Sequence, residues 1–334
     1  MKLKYIILAA TTLLASISLA TEAILSDDTY ASRSRVGIPS ASNFGKKPVM
    51  AVNANSTGFV KFDLSTLPSD TLWPQIQKAT LKLYVGSVKT PGFIGVTNHT
   101  TPANWNESTT VPAIPGAHVA IGSTVAISKA SAKRYITFDV TEKVRAWIQD
   151  PSTNNGLAIY AAAAGLNVQL DTKENVAAGQ KAELIIAHRE SVVLLKQQAG
   201  NNVVFNSGSS GDAVNTWEVA TGEDPLNLLN ETTGEFTIPV DGLYQISGAV
   251  LAYAQPAQPG HERRLQIRHF YSGGQTTESL WFQSMMVAGN QSSHMNGTLL
   301  KRLRANDRIR LEGYVTGSVI TVTGRDFTII KVGD

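Results

Sequence analysis

Hydrophobic and polar residues alternate with a period of two along most of the chain. In the segment 60–64, Val60 and Phe62 fall on one side of an extended backbone, and Lys61 and Asp63 fall on the other. The same alternation recurs in the first half in the segments 81–85, 136–140, 157–160, 168–170 and 184–186. Many short strands separated by turn-rich stretches predict a sandwich or a barrel, so the predicted fold class is all-β.

A second series of strands begins near residue 191. Its alternating or apolar segments are 191–195, 236–239, 243–246, 265–267, 280–282, 308–311, 318–322 and 327–332. The join at 188–191 contains little Pro or Gly, which predicts two closely abutting domains with a short linker. A single helix is predicted over 141–149, where Val144, Trp147 and Ile148 recur at i, i+3 and i+4 behind a Thr141 cap.

The first residues predict a secretory signal peptide. Two lysines precede an apolar run, and small residues follow, including Ala20 and Ala23. The run is shorter than the ~20 residues of a membrane-spanning helix, and the small residues are typical of a cleavage site. We predict a signal peptide at 1–23, a first domain at 24–188 and a second at 191–334. The protein is therefore expected to be secreted, extracellular or at the cell surface, with no membrane span.

Composition narrows the classes of function. The 334 residues include no cysteine, so no disulfide stabilises this secreted chain. A net charge of +3 is too small for the basic surface typical of nucleic-acid-binding domains, and no nucleic-acid partner is predicted. The segment 208–211 lacks the spacing of a hydrolase nucleophile, and His261-Glu262 lacks the second histidine of a zinc protease. We predict no catalytic residues and no enzyme activity.

Two aspartates at strand ends leave an alternative open. Asp63 and Asp139 each follow a phenylalanine and point away from the apolar side of their strand. Two such carboxylates could act as general acid and base in a polysaccharide lyase or hydrolase. An Asp followed at i+2 by Ser65 or Thr141 more often accepts hydrogen bonds from the next turn, and we favour that structural role.

Six short motifs follow one another along the first half. They are Asp28-Thr29-Tyr30-Ala31, Asn43-Phe44-Gly45, Phe62-Asp63-Leu64-Ser65, Trp105-Asn106-Glu107-Ser108-Thr109, Phe138-Asp139-Val140-Thr141 and Asp171-Thr172-Lys173-Glu174. Their order and spacing resemble the disaggregatase-related-repeat (DNRLRE) modules of carbohydrate-binding module family 96. Ala182 departs from the family, which often has proline there, as does Val111-Pro112, where threonine-tryptophan is usual. The resemblance implies a jelly-roll-like β-sandwich that binds polysaccharide, with alginate-like acidic glycans as one ligand class.

The second half carries a different resemblance. The segments 234–244, 303–309 and 321–327 resemble the globular head of complement component 1q, a tumour-necrosis-factor-like jelly roll. Asn306 stands where that family usually has glycine. The resemblance implies a second jelly-roll domain that forms a homotrimer through residues 191–334.

Cations are the predicted ligand-binding groups, because Arg grips carboxylates bidentately and Lys acts as a mobile point charge. The candidate residues for glycan binding are Arg33, Arg35, Lys46, Lys47, Lys61, Lys82, Trp105 and Lys173. Trp105 has two interpretations, since its ring could stack on a sugar or anchor a loop in the core. Asp27 and Asp28 have the ligand type of Ca²⁺, but no known calcium-loop spacing accompanies them, so no metal and no cofactor are predicted.

The sequence thus predicts a secreted, non-catalytic protein that binds polysaccharide or belongs to the extracellular matrix. The first domain would bind glycan, and the second would trimerise and so raise avidity by about 10²–10⁴. The alternative is a purely structural adhesion protein in which both domains contact other proteins.

Overall fold

The alternating segments of the first half form antiparallel strands around one core. The computed structural model describes residues 18–33, 44–99, 105–108, 112–114, 118–176, 179–198, 203–205, 212–213, 224–254, 261–273, 277–287, 293–316 and 320–333. Regular structure in these residues is almost entirely β-strand, so the predicted all-β fold class is confirmed. The elements of the first half are β1 (Ser18–Ser32), β2 (Val49–Asn53), β3 (Ser56–Asp63), β4 (Ile76–Thr90), β5 (Gly92–Asn98), β6 (Val125–Ile127), β7 (Arg134–Asp139), α1 (Thr141–Gln149), β8 (Leu157–Ala161), β9 (Asn167–Asp171) and β10 (Glu183–Arg189).

Two long strands connect the layers of this half. The first part of β1 pairs with β10 and the rest pairs with β3, with an irregularity in register between Leu25 and Asp27. The long strand β4 pairs with β10 and β7 in its first part and with β9 in its second. Such irregularities bend a strand and let it pass from one layer to the next. The layers enclose a core that includes Phe62, Leu81 and Trp147.

The predicted signal peptide overlaps β1. The strand begins at Ser18, and Ala23 is buried against the core with 2% of its surface exposed. Residues 18–23 pair in register with 184–189 of β10. Cleavage after Ala23 would remove this pairing, whereas cleavage after Ala20 would keep Ala23 in place. Cleavage itself stays a prediction.

The faces of β3 differ from the prediction in one respect. Val60 and Phe62 point into the core, and Asp63 is exposed, as the alternation predicted. Phe59, on the opposite face, is fully buried as well. The chain after β5 returns over this face and packs Trp105 and Ile114 against it, which creates a second, smaller core. Period-two patterning cannot reveal such a covering segment, because it is distant in sequence.

The predicted helix is confirmed with the predicted bounds, Thr141–Gln149, and buries Val144 and Trp147. Its start differs in detail. Thr141 is the first helical residue, Val140 is the N-cap, and the Thr141 hydroxyl accepts a hydrogen bond from the amide of Ala79 at 2.9 Å. The hydroxyl therefore ties the helix to β4 and does not cap it.

The second half forms two further sheets that enclose a core of their own. Its strands are β11 (Val192–Gln198), β12 (Val203–Phe205), β13 (Asp212–Ala213), β14 (Leu229–Asn230), β15 (Glu235–Thr237), β16 (Gly242–Ala254), β17 (His261–Phe270), β18 (Thr277–Val287), β19 (Ser293–Leu303), β20 (Arg308–Val315) and β21 (Ile320–Gly333). One sheet runs β11-β21-β16-β19 with β12 beside β21, and the other runs β14-β15-β20-β17-β18 with β13 beside β20. The last two predicted strands are one strand, β21, because the intervening residues stay paired with β16.

The two halves meet at a polar joint. β10 ends at Arg189 and β11 begins at Val192, and the side-chain amide of Gln75 donates to the carbonyls of Arg189 at 3.1 Å and Glu190 at 2.9 Å. Lys331, with 1% of its surface exposed, forms an ion pair with Asp70 across the joint. The short connection places both cores close together, while independent folding of the two predicted domains stays a prediction.

Candidate functional site

Three of the sequence motifs meet beside β1. Asp28 lies in β1, Glu107 lies in the segment 105–108, and Lys173 and Glu174 lie in the turn that follows β9. The backbone amide of Asp28 donates to Glu107 Oε2 at 3.0 Å, and the backbone amide of Lys173 donates to Asp28 Oδ2 at 2.9 Å. These contacts join segments up to 145 residues apart in sequence. We call Asp28, Glu107, Lys173 and Glu174 the charged junction.

The ammonium group of Lys173 forms its contacts within the protein. Its Nζ lies 2.7 Å from Glu107 Oε2 and donates to the carbonyl of Ser26, and only 25% of its side chain is exposed. An ammonium group already bonded to a carboxylate and a carbonyl has little capacity left for a ligand. The charge of Lys173 thus holds the junction together, and glycan binding by this residue stays a prediction.

Asp28 is the fully buried acid of the junction. Its surface is 0% exposed, and this burial raises the pKa of its carboxyl to about 8, with the neighbouring Glu174 carboxylate acting in the same direction. The hydrogen bond from the Lys173 amide opposes the rise in pKa. A second carboxylate beside it disfavours the charged form of the buried Asp28 unless a proton or a cation lies between the two groups.

A turn with two exposed lysines rests on the junction. Phe44 stacks on Tyr30 with ring centroids 4.2 Å apart, and the Thr172 hydroxyl donates to the Lys47 carbonyl at 2.6 Å. Gly45 lies so close to the 105–108 segment that an added Cβ would come within 2.7 Å of Glu107 Cβ. The side chains of Lys46 and Lys47 remain exposed, so the turn presents two cations on a backbone held from three sides.

Trp105 is a buried anchor. It is 1% exposed, its Nε1 donates to the Asn155 carbonyl at 2.8 Å, and its ring packs edge-on against Phe59 and His99. A ring enclosed in this way offers no face to a sugar. Of the two interpretations, the structure supports the core role and corrects the inclusion of Trp105 among the ligand-binding residues.

Lys82 is also engaged within the protein. It forms an ion pair with Glu183 on the neighbouring strand β10, and its Nζ lies 4.6 Å from the centre of the Tyr135 ring. These contacts lie on the sheet of β4, β7 and β10, and no contact of the described residues joins Lys82 to the charged junction. Lys82 is therefore a cross-strand partner of Glu183, and its role in glycan binding stays a prediction.

Two other predicted cations remain accessible. Arg33 is exposed at the end of β1, where its backbone amide donates to the Asn55 carbonyl at 2.8 Å. Lys61 is half-buried and lies opposite Asp27 in the register of β1 and β3. Arg35 lies outside the described residues. Arg33, Lys46, Lys47 and Lys61 are thus the predicted cations that the described structure leaves for a ligand.

The paired aspartates have the favoured structural role. Asp63 accepts from the amide and the hydroxyl of Ser65, both at 2.9 Å. Asp139 accepts from the amide of Thr141 at 3.0 Å and from its hydroxyl at 2.6 Å. Both carboxylates are directed into the turn that follows them, so the predicted turn contacts are confirmed. The hydrogen bonds from Thr141 also keep the pKa of Asp139 below its usual value.

Sequence reasoning missed two parts of this site. Glu174 was recognised only as part of a motif, although it completes the charged junction. The stack of Phe44 on Tyr30, which orients the lysine turn, was also missed. Phe44 and Tyr30 both belong to the sequence motifs. The signal that could have identified the site is that several of these motifs come together in one place.

Charged groups are buried in the second half as well. Glu312 bonds to Arg310 and Arg268, and His269 lies 2.9 Å from Asp307 and 3.1 Å from Glu278. The buried carboxylate of Glu312 is thus paired with two guanidinium groups, which is the usual way in which a core tolerates charge. This network links β17, β18 and β20 and contains none of the predicted site residues.

Comparisons with solved structures return two proteins of low similarity to this chain. The structure of Eiger TNF from S. frugiperda is 14% identical, covers 43% of this chain and 95% of its own, and has a TM-score of 0.34. The globular domain of zebrafish complement 1qA is 17% identical, covers 40% of this chain and 94% of its own, and has a TM-score of 0.26. Since both scores are low, the architecture of the second half rests on its own strands and core.

Sequence comparisons are more specific for the first half. No curated protein matches the chain. Among the described residues, no helix is long and apolar enough to cross a membrane. The model of carbohydrate-binding module family 96 matches residues 20–188, the span that contains all six motifs and the charged junction. The chain therefore belongs to carbohydrate-binding module family 96.

Proposed function

We propose that the protein is secreted and that its first half binds a polysaccharide without cleaving it. Membership of a carbohydrate-binding module family supports the ligand class. The observation that carries the proposal is the turn of Lys46 and Lys47, whose backbone is held by neighbouring segments while both side chains are exposed. A fixed backbone lowers the entropy that is lost when these side chains engage a ligand.

Carboxylated glycans suit this surface best. The accessible candidates are all cations, whereas the predicted aromatic platform, Trp105, is buried. Contacts between exposed charges are worth about 0.2–1 kcal/mol each and weaken as salt rises. A single module would therefore bind an acidic polymer weakly and in a salt-dependent manner.

We propose further that the second half forms a homotrimer. A row of four residues, three of them apolar, crosses the outer face of the sheet β11-β21-β16-β19, where Val193 faces Ile330, Ile330 faces Gln245 and Gln245 faces Leu300 in register. Val193 is 47% exposed and Leu300 is 63% exposed. Burial of such a row between subunits would remove apolar surface from water at about 25 cal/mol per Å². Three modules on one polymer would compensate for the weak binding of each.

Retention on immobilised alginate tests glycan binding. We expect the wild-type protein to be retarded, and the double variant Lys46→Ala/Lys47→Ala to bind about 2- to 30-fold more weakly, from two contacts of about 0.2–1 kcal/mol each. The matched control is Lys78→Ala/Lys89→Ala, which removes two exposed lysines from β4 and should leave retention unchanged. Absence of retention on alginate and on neutral glycans would favour the alternative function, a structural adhesion protein. Shortening of the glycan with time would indicate an enzyme.

Light scattering of the full chain tests the trimer. We expect a mass of three chains for the wild type and of one chain for Leu300→Glu, because a buried carboxylate would oppose association. Val119→Glu is the control, since Val119 is 80% exposed and lies in the first half. A wild-type monomer at micromolar concentration would contradict the trimer and leave glycan binding to be judged separately.

A further inference from the structure

Three carboxylates of the charged junction converge on one point. Asp28, Glu107 and Glu174 each direct an oxygen toward it, and these oxygens all lie within 4.8 Å of one another. Oxygens that bind one Ca²⁺ ion at 2.3–2.6 Å are separated by at most about 5 Å, so this spacing fits a shared calcium ion. The three residues come from β1, the 105–108 segment and the turn after β9, and a common ion would cross-link all three.

The hydrogen bonding of these acids is incomplete. Asp28 is 0% exposed, and within the described part of the chain its Oδ1 has no hydrogen-bond partner, although Oδ2 accepts from the Lys173 amide. Glu174 Oε2 is likewise buried with no partner among the described residues. A buried carboxylate oxygen without a donor is strongly unfavourable, and here two such oxygens belong to one cluster.

The charge balance favours a divalent cation. The three carboxylates carry three negative charges when ionised, and the Lys173 ammonium, 2.7 Å from Glu107 Oε2, offsets one of them. Two negative charges remain, on the acids whose oxygens lack donors. The donor set contains only oxygen, which is typical of the hard cation Ca²⁺, whereas zinc and copper sites typically include His or Cys.

We propose that Asp28, Glu107 and Glu174 bind one Ca²⁺ ion that stabilises the first half. The ion supplies the partner that Asp28 Oδ1 and Glu174 Oε2 lack and fixes Glu107, against which Gly45 and its lysine turn rest. Lys173 remains the counter-ion of Glu107 and does not compete with the metal.

Calcium titration of the purified full chain, stripped with EDTA and dialysed, tests this site. We expect one Ca²⁺ per chain by isothermal titration calorimetry, and a rise in Tm of about 5–10 °C at Ca²⁺ 100-fold above its Kd. Glu174→Gln removes a charged ligand with little change in shape, so it should lose both the heat of binding and the shift in Tm. The matched control is Glu142→Gln, because the Glu142 side chain is 81% exposed on α1.

The alternative occupant of the junction is a proton shared by Asp28 and Glu174. In that case the wild type would show no heat of binding and no shift in Tm at millimolar Ca²⁺, which would overturn the proposal. An unchanged stoichiometry in Glu174→Gln would place the ion elsewhere and overturn it as well. Asp28→Asn provides a second variant, expected to abolish Ca²⁺ binding while its far-UV circular dichroism stays that of a folded β protein.

Discussion

Replacement of Trp105 distinguishes a buried anchor from a sugar platform. The ring is 1% exposed and lies between Phe59 and the carbonyl of Asn155, to which it donates a hydrogen bond of 2.8 Å. We therefore expect Trp105→Ala to reduce the free energy of unfolding of the first half. Any loss of glycan binding should follow from unfolding and should disappear under conditions in which the variant is folded.

The size of the effect follows from the contacts. Truncation of a buried tryptophan to alanine removes the ring from the second core and leaves a cavity, which typically costs about 3–5 kcal/mol. Trp105→Phe keeps much of the ring packing against Phe59 but loses the hydrogen bond to Asn155, so a cost of about 1–2 kcal/mol is expected. The two variants together separate packing from hydrogen bonding.

Urea unfolding followed by circular dichroism measures both variants. Phe93→Ala is the control, because Phe93 is 47% exposed and its removal should change the free energy of unfolding by less than about 0.5 kcal/mol. The reasoning is refuted if Trp105→Ala unfolds at the wild-type urea midpoint and yet loses retention on alginate. That combination would mean that the ring contacts the ligand and contributes little to the core.

Three further outcomes are expected. Gly45→Ala should destabilise the first half by about 1–3 kcal/mol and weaken alginate retention, because its Cβ would displace the lysine turn from Glu107. Asp139→Asn should cost about 1 kcal/mol at neutral pH by weakening the hydrogen bonds from Thr141. Since those bonds lower the pKa of Asp139 below 3.8, the difference between variant and wild type should vanish as the pH falls through that lowered pKa. Mass spectrometry of the secreted protein should show that residues 21–23 are retained, because Ala23 is buried.

Each of these outcomes has a control or a contradicting result. Gly333→Ala adds the same methyl group where nothing lies within 4 Å, so it should match the wild type in stability and retention. A constant difference between Asp139→Asn and the wild type down to pH 2 would mean that the carboxylate charge is unimportant. A mature protein that begins at Ile24 and is still fully stable would show that the pairing of residues 18–23 with β10 is dispensable.

The local pattern was sufficient to predict most of the strands and the helix. Alternation at 60–64 and the i, i+3, i+4 spacing of Val144, Trp147 and Ile148 report directly which side of an element is buried. Residues buried by a distant segment could not be predicted in this way. Phe59 lies on the outer face of β3 and is covered by a segment some 45 residues later, so its burial depends on tertiary structure.

The candidate site was only partly predictable for a related reason. A search for cations identified Lys46 and Lys47, which are exposed. It also identified Lys82 and Lys173, which form ion pairs with Glu183 and Glu107, respectively. Whether a lysine is free depends on which carboxylate faces it, and those partners lie 101 residues away for Lys82. The motifs were the better guide, since three of them meet at the charged junction.

The joint between the halves has a consequence for selectivity. The Gln75 amide donates hydrogen bonds to the carbonyls of Arg189 and Glu190, and Lys331 is paired with Asp70. These contacts restrict motion of one half relative to the other. In a trimer, the distance between lysine turns would then be set by the protein and not by chain fluctuations. With this spacing fixed, the trimer would favour polymers whose stiffness and charge spacing let them contact several lysine turns at once.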